Sequence, residues 1–179
     1  MEESNIKARK FDAMMEIVLN NTDSEIVIDN GASAFIPLSS YLLESRAIEM
    51  AEEHGHAVIL HTIVTGGQAF QDTATGLDSI IKQFPKSVDF VVWLNEYFVP
   101  IAQDGKAFRE MKLFQTHEER IKKVITLPKQ SELFNQDMRE MLEAHLTFDE
   151  TMGSAAFQLM RKARLFRIKK ALFEQMEGL

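Results

Sequence analysis

The chain has 179 residues, of which 45% are hydrophobic and 26% are charged, as in an ordinary globular protein with a substantial core. It contains no cysteine, which excludes disulfides, thiolate metal sites and cysteine nucleophiles. The net charge of −7 argues against general binding to nucleic acid, because phosphate contacts need a basic surface. No apolar run reaches the roughly 20 residues of a membrane span, and the first residues do not resemble a signal peptide. We therefore expect a cytoplasmic protein without direct contacts to DNA or membrane.

The first predicted elements are a helix and a short strand. Apolar residues recur at spacings of three and four between Phe11 and Val18, which is the pattern of one helix face. Glu25–Ile28 is the first predicted strand, and it ends at Asp29, just before Gly31. An acid delivered by a buried strand to a glycine-containing turn is typical of sheets that bind nucleotide and hydrated magnesium.

The next part of the chain alternates between helix and strand. Leu38–Glu53 is predicted as one helix that ends near Gly55, where a C-cap is expected. Ala57–Val64 follows as a nearly continuous apolar strand. The apolar spacing up to Phe84 predicts a further helix, which is stopped by Pro85.

Two more strands are predicted, at Val88–Leu94 and Val124–Leu127. The first of these is again nearly continuous in β-branched and aromatic residues, as in strands covered on both faces of a parallel sheet. Strands that alternate with helices imply βαβ units with right-handed crossovers. The sequence therefore predicts a three-layer α/β/α fold with a mostly parallel sheet, in a single domain over residues 1–179.

The C-terminal third is predicted to be helical. Thr116 with Glu119, and Thr147 with Glu150, each fit a capping box that starts a helix. In the last helix the basic side chains point in nearly all directions, while one apolar stripe runs along it: Phe157, Leu165, Ile168, Leu172 and Met176. We interpret this segment as a helix docked on the domain with solvated charges, and not as a membrane or DNA element.

Polar residues and glycines follow each predicted strand. Ligands of open parallel sheets bind beyond the carboxyl ends of the strands, so the candidate site residues are those at the ends: Asp29, Thr65-Gly66-Gly67-Gln68, Asn95-Glu96 and Pro128-Lys129. Each has a structural alternative. Asp29 could cap the next helix, Gly66 and Gly67 could form a tight turn instead of approaching an anion, and Asn95 could bond neighbouring backbone instead of a purine edge.

The five histidines are predicted to be core or surface residues. Their spacing gives no helical pair separated by four residues, which a helix-borne metal site would need.

Four segments carry a resemblance to a known family: VIDNGASAFIPLSSYL, HTIVTGGQAFQDT, VVWLNEYFVPI and LTFDE. They closely resemble plasmid-borne proteins of the conjugal transfer TraL and plasmid stability StbB type, in the ParA/MinD-like branch of the P-loop ATPases. The resemblance extends from about Phe11 almost to the C-terminus. It implies a P-loop NTPase-like fold, a homodimer, ATP and Mg²⁺ as cofactors, and plasmid transfer or partition proteins as partners.

The resemblance also implies roles for individual residues. Asp29 falls at the Walker B position, as a catalytic residue that holds magnesium or its water. Gly31 falls in a switch-like turn, Asn95 at the strand end that faces the adenine base, and Pro128 in the loop that flanks this base. Thr65–Gln68, with its two glycines, is placed in the lining of the active site.

The phosphate-binding loop of that family, KGGxGKS, does not occur in residues 1–179. We therefore expect an N-terminally incomplete ATPase domain that hydrolyses ATP poorly or not at all, because the loop amides and lysine position the phosphates. ATP and Mg²⁺ are expected as cofactors of the complete family member, and whether this chain binds either of them stays open. The alternative is a non-catalytic module that docks to plasmid transfer or DNA-processing proteins.

Overall fold

The computed structural model describes the backbone of residues 2–97 and 99–179 and the side chains of residues 10–31, 33–97 and 99–179. The chain divides into two compact units. The first unit extends to Ile59 and includes Phe84–Val88, and the second consists of Leu60–Gln83 and Asp89–Leu179.

The first unit is built on three helices, α1 (Glu2–Leu19), α2 (Ala32–Glu44) and α3 (Ala47–Glu53). The predicted apolar face of α1 is confirmed, because Met15 and Val18 are buried in a cluster with residues of α3. Partly buried side chains pack around this cluster: Met14, Leu19, Ile26, Tyr41, Leu42 and Val58.

The predicted helix Leu38–Glu53 is in fact two helices. The break lies at Arg46, whose φ of 53° is left-handed and ends the helical hydrogen-bonding pattern between α2 and α3. The predicted end at Gly55 is confirmed, with φ of 90° and an N–H that bonds the Glu52 carbonyl. Periodicity alone did not reveal the break, because the apolar pattern continues through it.

The predicted strand Glu25–Ile28 is wrong. Residues 25–30 belong to no helix or strand. Ile26 packs against the cluster of the first unit, whereas Val27 and Ile28 are 91% and 45% exposed. A strand requires a hydrogen-bonded neighbour, and the strand-like composition of this segment does not supply one.

The second unit contains a three-stranded, mostly parallel sheet of β1 (Ile59–Thr65), β2 (Asp89–Asn95) and β5 (Ile121–Leu127). The order is β1–β2–β5, and β2 pairs in parallel with β5. The three later strand predictions are therefore confirmed within a few residues, and so is the mixed α/β class. A small antiparallel hairpin separates β2 from β5, with β3 (Ala102–Gln103) and β4 (Lys106–Ala107).

Five α-helices accompany this sheet: α4 (Phe70–Gln83), α5 (Lys112–His117), α6 (Glu132–Glu143), α7 (Phe148–Gly153) and α8 (Leu159–Met176). The end of α4 before Pro85 agrees with the prediction. The core of the unit includes Leu77, Phe90 and Ile125, all fully buried.

One of the two predicted capping boxes is confirmed. Thr147 caps α7, since its backbone N–H donates to Glu150 at 2.8 Å and its hydroxyl accepts from the Glu150 N–H at 3.2 Å. The box at Thr116 and Glu119 is wrong, because Thr116 already lies inside α5. That helix begins after Met111, and a 3₁₀ turn over Glu118–Arg120 continues it directly.

The last helix, α8, is docked on the second unit as predicted. Leu165 and Ile168 are buried on its inner face, and Asp137 of α6 accepts hydrogen bonds from Arg161 and Arg164. The helix also covers the outer edge of β5. The Gln175 amide accepts from the Thr126 N–H at 2.7 Å and donates to the Thr126 carbonyl at 3.1 Å, as a neighbouring strand would.

Among the helices that the structure describes, none combines the length and the apolar character needed to cross a bilayer.

Candidate functional site

Three of the predicted strand ends meet at one edge of the sheet. The Gly66 N–H donates to the Asn95 carbonyl at 3.1 Å, which joins the end of β1 to that of β2. The Glu96 N–H donates to the Leu127 carbonyl at 3.0 Å, which joins β2 to β5. The structure thus brings together Gly66, Gly67, Asn95 and Pro128, as the strand-end rule predicts.

The two glycines after β1 are both required by the backbone. A Cβ on Gly66 would lie 2.4 Å from the carbonyl oxygen of Val99, so only a glycine allows this close approach. Gly67 has φ of +76°, in the region that favours glycine. The tight-turn alternative therefore explains these residues in full, and no anion is needed to account for them.

The carboxamide of Asn95 is used by the loop that follows β2. Its Oδ1 accepts the Tyr97 N–H at 3.1 Å, which is the structural alternative considered for this residue. The neighbouring Glu96 accepts the Ile101 N–H at 2.9 Å. These two side chains hold Tyr97 and Ile101 against the strand ends, and the carbonyl group of Val99 lies over Gly66.

Beside the strand ends lies an open groove of about 730 Å³, within the size range of small-molecule sites. It is bounded by the end of β5, by α6 and by α8. Its wall is mostly apolar and includes Tyr97, Leu127, Pro128, Met138, Leu142, Ile168 and Leu172. Tyr97 and Leu142 are 41% and 61% exposed, so the groove presents uncovered apolar surface.

The polar groups of the groove are few. Arg139 and Glu143 of α6 line it. Gln175 also lines it, but its amide is occupied by Thr126. Two further amide side chains, those of Gln130 and Asn135, lie at the wall of the groove. The Asn135 amide donates to the Gln130 backbone carbonyl at 3.4 Å. The groove can therefore hold an apolar or planar group, with amides and one arginine near it.

The sequence pattern identified Pro128 but missed the larger part of this groove. Its other walls come from α6, which follows β5 directly in the chain, and from α8, which begins about 30 residues later. The amphipathic pattern of α6 was the available signal, but periodicity indicates only that a face is apolar and not which part of it stays uncovered.

Asp29 and Gly31 belong to the first unit. Asp29 is exposed and lies in the segment that forms no strand. Gly31 is the N-cap residue of α2, with an extended backbone and no side-chain cap, so Asp29 is not the cap of that helix. Over the described residues, no three acidic, histidine or cysteine side chains come together to hold a metal ion.

Relatives of the chain are found among TraL proteins. Two Escherichia coli proteins, both named Protein TraL, are 39% identical to it. One alignment spans 174 residues, which is 97% of this chain and 72% of the relative, and the other spans 179 residues, which is 99% and 74%. The chain belongs to the TraL family. No protein-family model matches it, and no solved structure matches it either.

The similarity to the TraL proteins covers nearly the whole chain. Family membership therefore applies to both units and is not limited to the strand ends or to the groove.

Proposed function

We propose that this chain acts in plasmid conjugal transfer. Its membership in the TraL family, at 39% identity over almost its full length, carries this proposal. The partners would be other transfer proteins. The experiment is deletion of its coding sequence from the plasmid, with measurement of transfer frequency and of plasmid retention without selection.

A fall in transfer frequency that the native chain restores in trans is the expected result. Unchanged transfer with rapid plasmid loss would contradict it, and would assign the chain to plasmid maintenance instead.

At the level of chemistry, we propose that the second unit has the fold of a ParA/MinD-like ATPase domain. Proteins of that family act as ATP-dependent, dimeric switches. Two observations support this proposal. β2 and β5 are parallel, and the ends of β1, β2 and β5 meet at one edge, where such sheets bind nucleotides. Pro128 and Tyr97 would contact the base in the groove, and Gly66 and Gly67 would line the site.

The fit of the cofactors is unequal. The groove is large enough for a nucleoside, and it is lined by the carboxamides of Gln130 and Asn135, whose nitrogens each donate one hydrogen bond of 3.4 Å to a backbone carbonyl. For Mg²⁺, the described side chains form no cluster of three ligands and Asp29 is exposed, so a bound ion would take most of its ligands from water and phosphate. We therefore derive no magnesium-dependent step for residues 1–179.

Calorimetric titration of the chain with ATP, ADP and adenosine, with and without Mg²⁺, tests the nucleotide proposal. Binding that all three ligands share and that Mg²⁺ does not change is expected, together with negligible ATP turnover. Tyr97→Ala should weaken nucleotide binding, since the ring lines the groove. Tyr41→Ala in the first unit is the matched control and should leave binding unchanged. A folded chain that binds no nucleotide at millimolar concentration would reject this proposal, and magnesium-dependent turnover would reject the expected inactivity.

The second candidate is a docking module without catalysis, and the groove favours it. Its wall is mostly apolar and partly exposed, and the Asn95 carboxamide oxygen is already bonded to the backbone. Leu142→Glu places a charge in the groove, whereas Leu133→Glu changes an equally exposed leucine of α6 that does not line it. If Leu142→Glu alone lowers transfer while nucleotide binding is absent, docking is the function. Equal effects of the two variants would reject the groove as the docking surface.

A further inference from the structure

The outer face of α8 carries large apolar residues that are more than half exposed. Leu159, Phe166 and Phe173 are 80%, 53% and 54% exposed. They recur every seven residues, and because a helix turns by 100° per residue, they lie within about 40° of one another along roughly 21 Å of the helix. The inner face is already occupied, since Leu165 and Ile168 are buried against the second unit.

The charge of this helix differs from that of the remaining chain. α8 contains six basic residues and one acidic residue, a net charge of +5. Since the whole chain carries −7, the other 161 residues carry −12. α8 is therefore a basic element on an acidic protein.

Three of the basic side chains are used internally. Arg161 and Arg164 bind Asp137, and Lys169 binds Asp149 at 2.5 Å.

Of the other three, Lys162 and Lys170 lie about 20–60° to either side of the stripe, whereas Arg167 is about 100° away from Phe166. Lys170 has a side chain that is 63% exposed, with a single contact of 3.6 Å to the exposed Glu174. Arg167 lies over the Phe134 ring at 5.8 Å and is itself exposed. Basic charge thus borders the stripe on both sides.

We propose that the outer face of α8, defined by Leu159, Phe166 and Phe173, binds an acidic amphipathic helix of a transfer partner. The seven-residue repeat places the stripe at one of the two positions of the heptad seam by which two helices pack. Lys162 and Lys170 beside it select carboxylates on the partner, because charge complementarity fixes the choice and register of a helix pair.

Two other occupants fit this face less well. A second copy of α8 would bring lysines opposite lysines, which is repulsive. A bilayer surface favours a broad apolar face, whereas this stripe is narrow and Lys170, paired with Glu174, lies next to it.

The binding test uses two synthetic 21-residue helical peptides with leucine at every seventh position. One carries glutamate beside the leucines and the other carries lysine. Fluorescence anisotropy should show at least tenfold tighter binding of the glutamate peptide to the native chain, with an affinity that falls as salt is raised.

Matched variants locate the binding surface. The double variant Phe166→Ser/Phe173→Ser should weaken binding at least tenfold, and Lys162→Gln/Lys170→Gln should remove the preference for glutamate. Leu133→Ser, an exposed leucine on α6, is the control that should leave both unchanged. Equal binding of the two peptides, or no binding by the folded chain, would overturn the proposal.

Two further measurements address the other occupants. Flotation with vesicles containing 30% anionic lipid should leave the chain unbound. Sedimentation should show the same oligomeric state for the native chain and for Phe166→Ser/Phe173→Ser. Either opposite result would overturn the proposal. In donor cells, a photo-crosslinking residue at position 166 should give a specific adduct with an acidic helix of another transfer protein, and the same residue at 133 should not.

Discussion

Two segments of similar composition differ in whether they form a β-strand. Residues 25–30 are rich in β-branched residues and yet form no strand. Residues of β5, Ile121–Leu127, pair with β2 on one side and are covered by Gln175 of α8 on the other. This difference indicates that hydrogen-bonding neighbours, more than β-propensity, decide whether a short apolar segment becomes a strand. The contacts that hold β5 in place should be sensitive to mutation, and the segment 25–30 should not be.

The largest effect is expected at the contact that fixes α8 against the second unit. Asp137→Asn removes the buried charge that pairs with Arg161 and Arg164, and loss of one charge of a buried ion pair costs about 3–5 kcal/mol. Urea unfolding measures the loss. Asp149→Asn is the control, since its 79% exposed side chain pairs with Lys169 and surface pairs contribute about 0–1 kcal/mol. Equal losses in both variants would contradict the proposed role of Asp137.

The same contact predicts a dependence on pH. Burial raises the pKa of Asp137, but the hydrogen bonds from Arg164 and Arg161 outweigh burial and keep this pKa below its ordinary value. Stability from this group is thus complete above the ordinary pKa of about 3.9 and is lost as the pH falls through the lower folded value. The free energy of unfolding of the native chain should decrease in this acid range more steeply than that of Asp137→Asn.

A second strong effect is expected where Val99 lies over the end of β1. Gly66→Ala places a Cβ 2.4 Å from the Val99 carbonyl oxygen, and such overpacking costs about 1–3 kcal/mol. Gly76→Ala is the matched control, since nothing lies within 4 Å of its Cβ position in α4. We expect this control to raise the melting temperature slightly, because alanine favours a helix by about 0.8–1 kcal/mol over glycine. A neutral Gly66→Ala would show that the loop moves away without cost.

The edge of β5 should respond to a smaller degree. Gln175→Ala removes both bonds to the Thr126 backbone, and each such hydrogen bond contributes about 0.5–1.5 kcal/mol. Hydrogen exchange of the Thr126 amide should become faster. Gln136→Ala on the exposed side of α6 serves as the control and should leave this exchange rate unchanged. An unaltered Thr126 rate in Gln175→Ala would mean that the side chain does not protect this edge.

The smallest effect is expected in the segment 25–30. Asp29→Ala should change the free energy of unfolding by less than about 0.5 kcal/mol, as for most surface substitutions, because Asp29 is exposed and lies outside every helix and strand. Thermal and urea unfolding both measure it. A loss above 1 kcal/mol would show that this carboxylate has a structural partner. It would also reduce the expected difference in mutational sensitivity between residues 25–30 and β5.

The sequence predicted well where local signals and long-range packing agree. The runs that became β1 and β2 are apolar enough to be recognised alone, and Thr147 with Glu150 forms its capping box through purely local bonds. The Thr116 box failed because the preceding residues had already begun a helix. Arg46 broke a helix whose apolar pattern is uninterrupted, since its left-handed backbone has no signature in periodicity.

For the candidate site, the sequence predicted the location but not the contacts of the side chains. The convergence of Gly66, Asn95 and Pro128 follows from the rule that parallel strands end at one edge, and a pattern of strands suffices to find it. The side-chain roles were not accessible, because Asn95 turns to Tyr97 and Gly66 receives Val99 only once the loop has folded over them.

By itself the sequence determined the α/β class, the three strands of the sheet, the strand ends that meet and the docked basic helix at the C-terminus. It could do so because periodicity, propensity and capping act over a few residues. Only the tertiary structure decided that Glu25–Ile28 is not a strand, that α6 and α8 enclose a groove beside Pro128, and that α8 keeps one apolar face uncovered. These outcomes depend on which surfaces meet across long separations in the chain, and no local pattern contains that information.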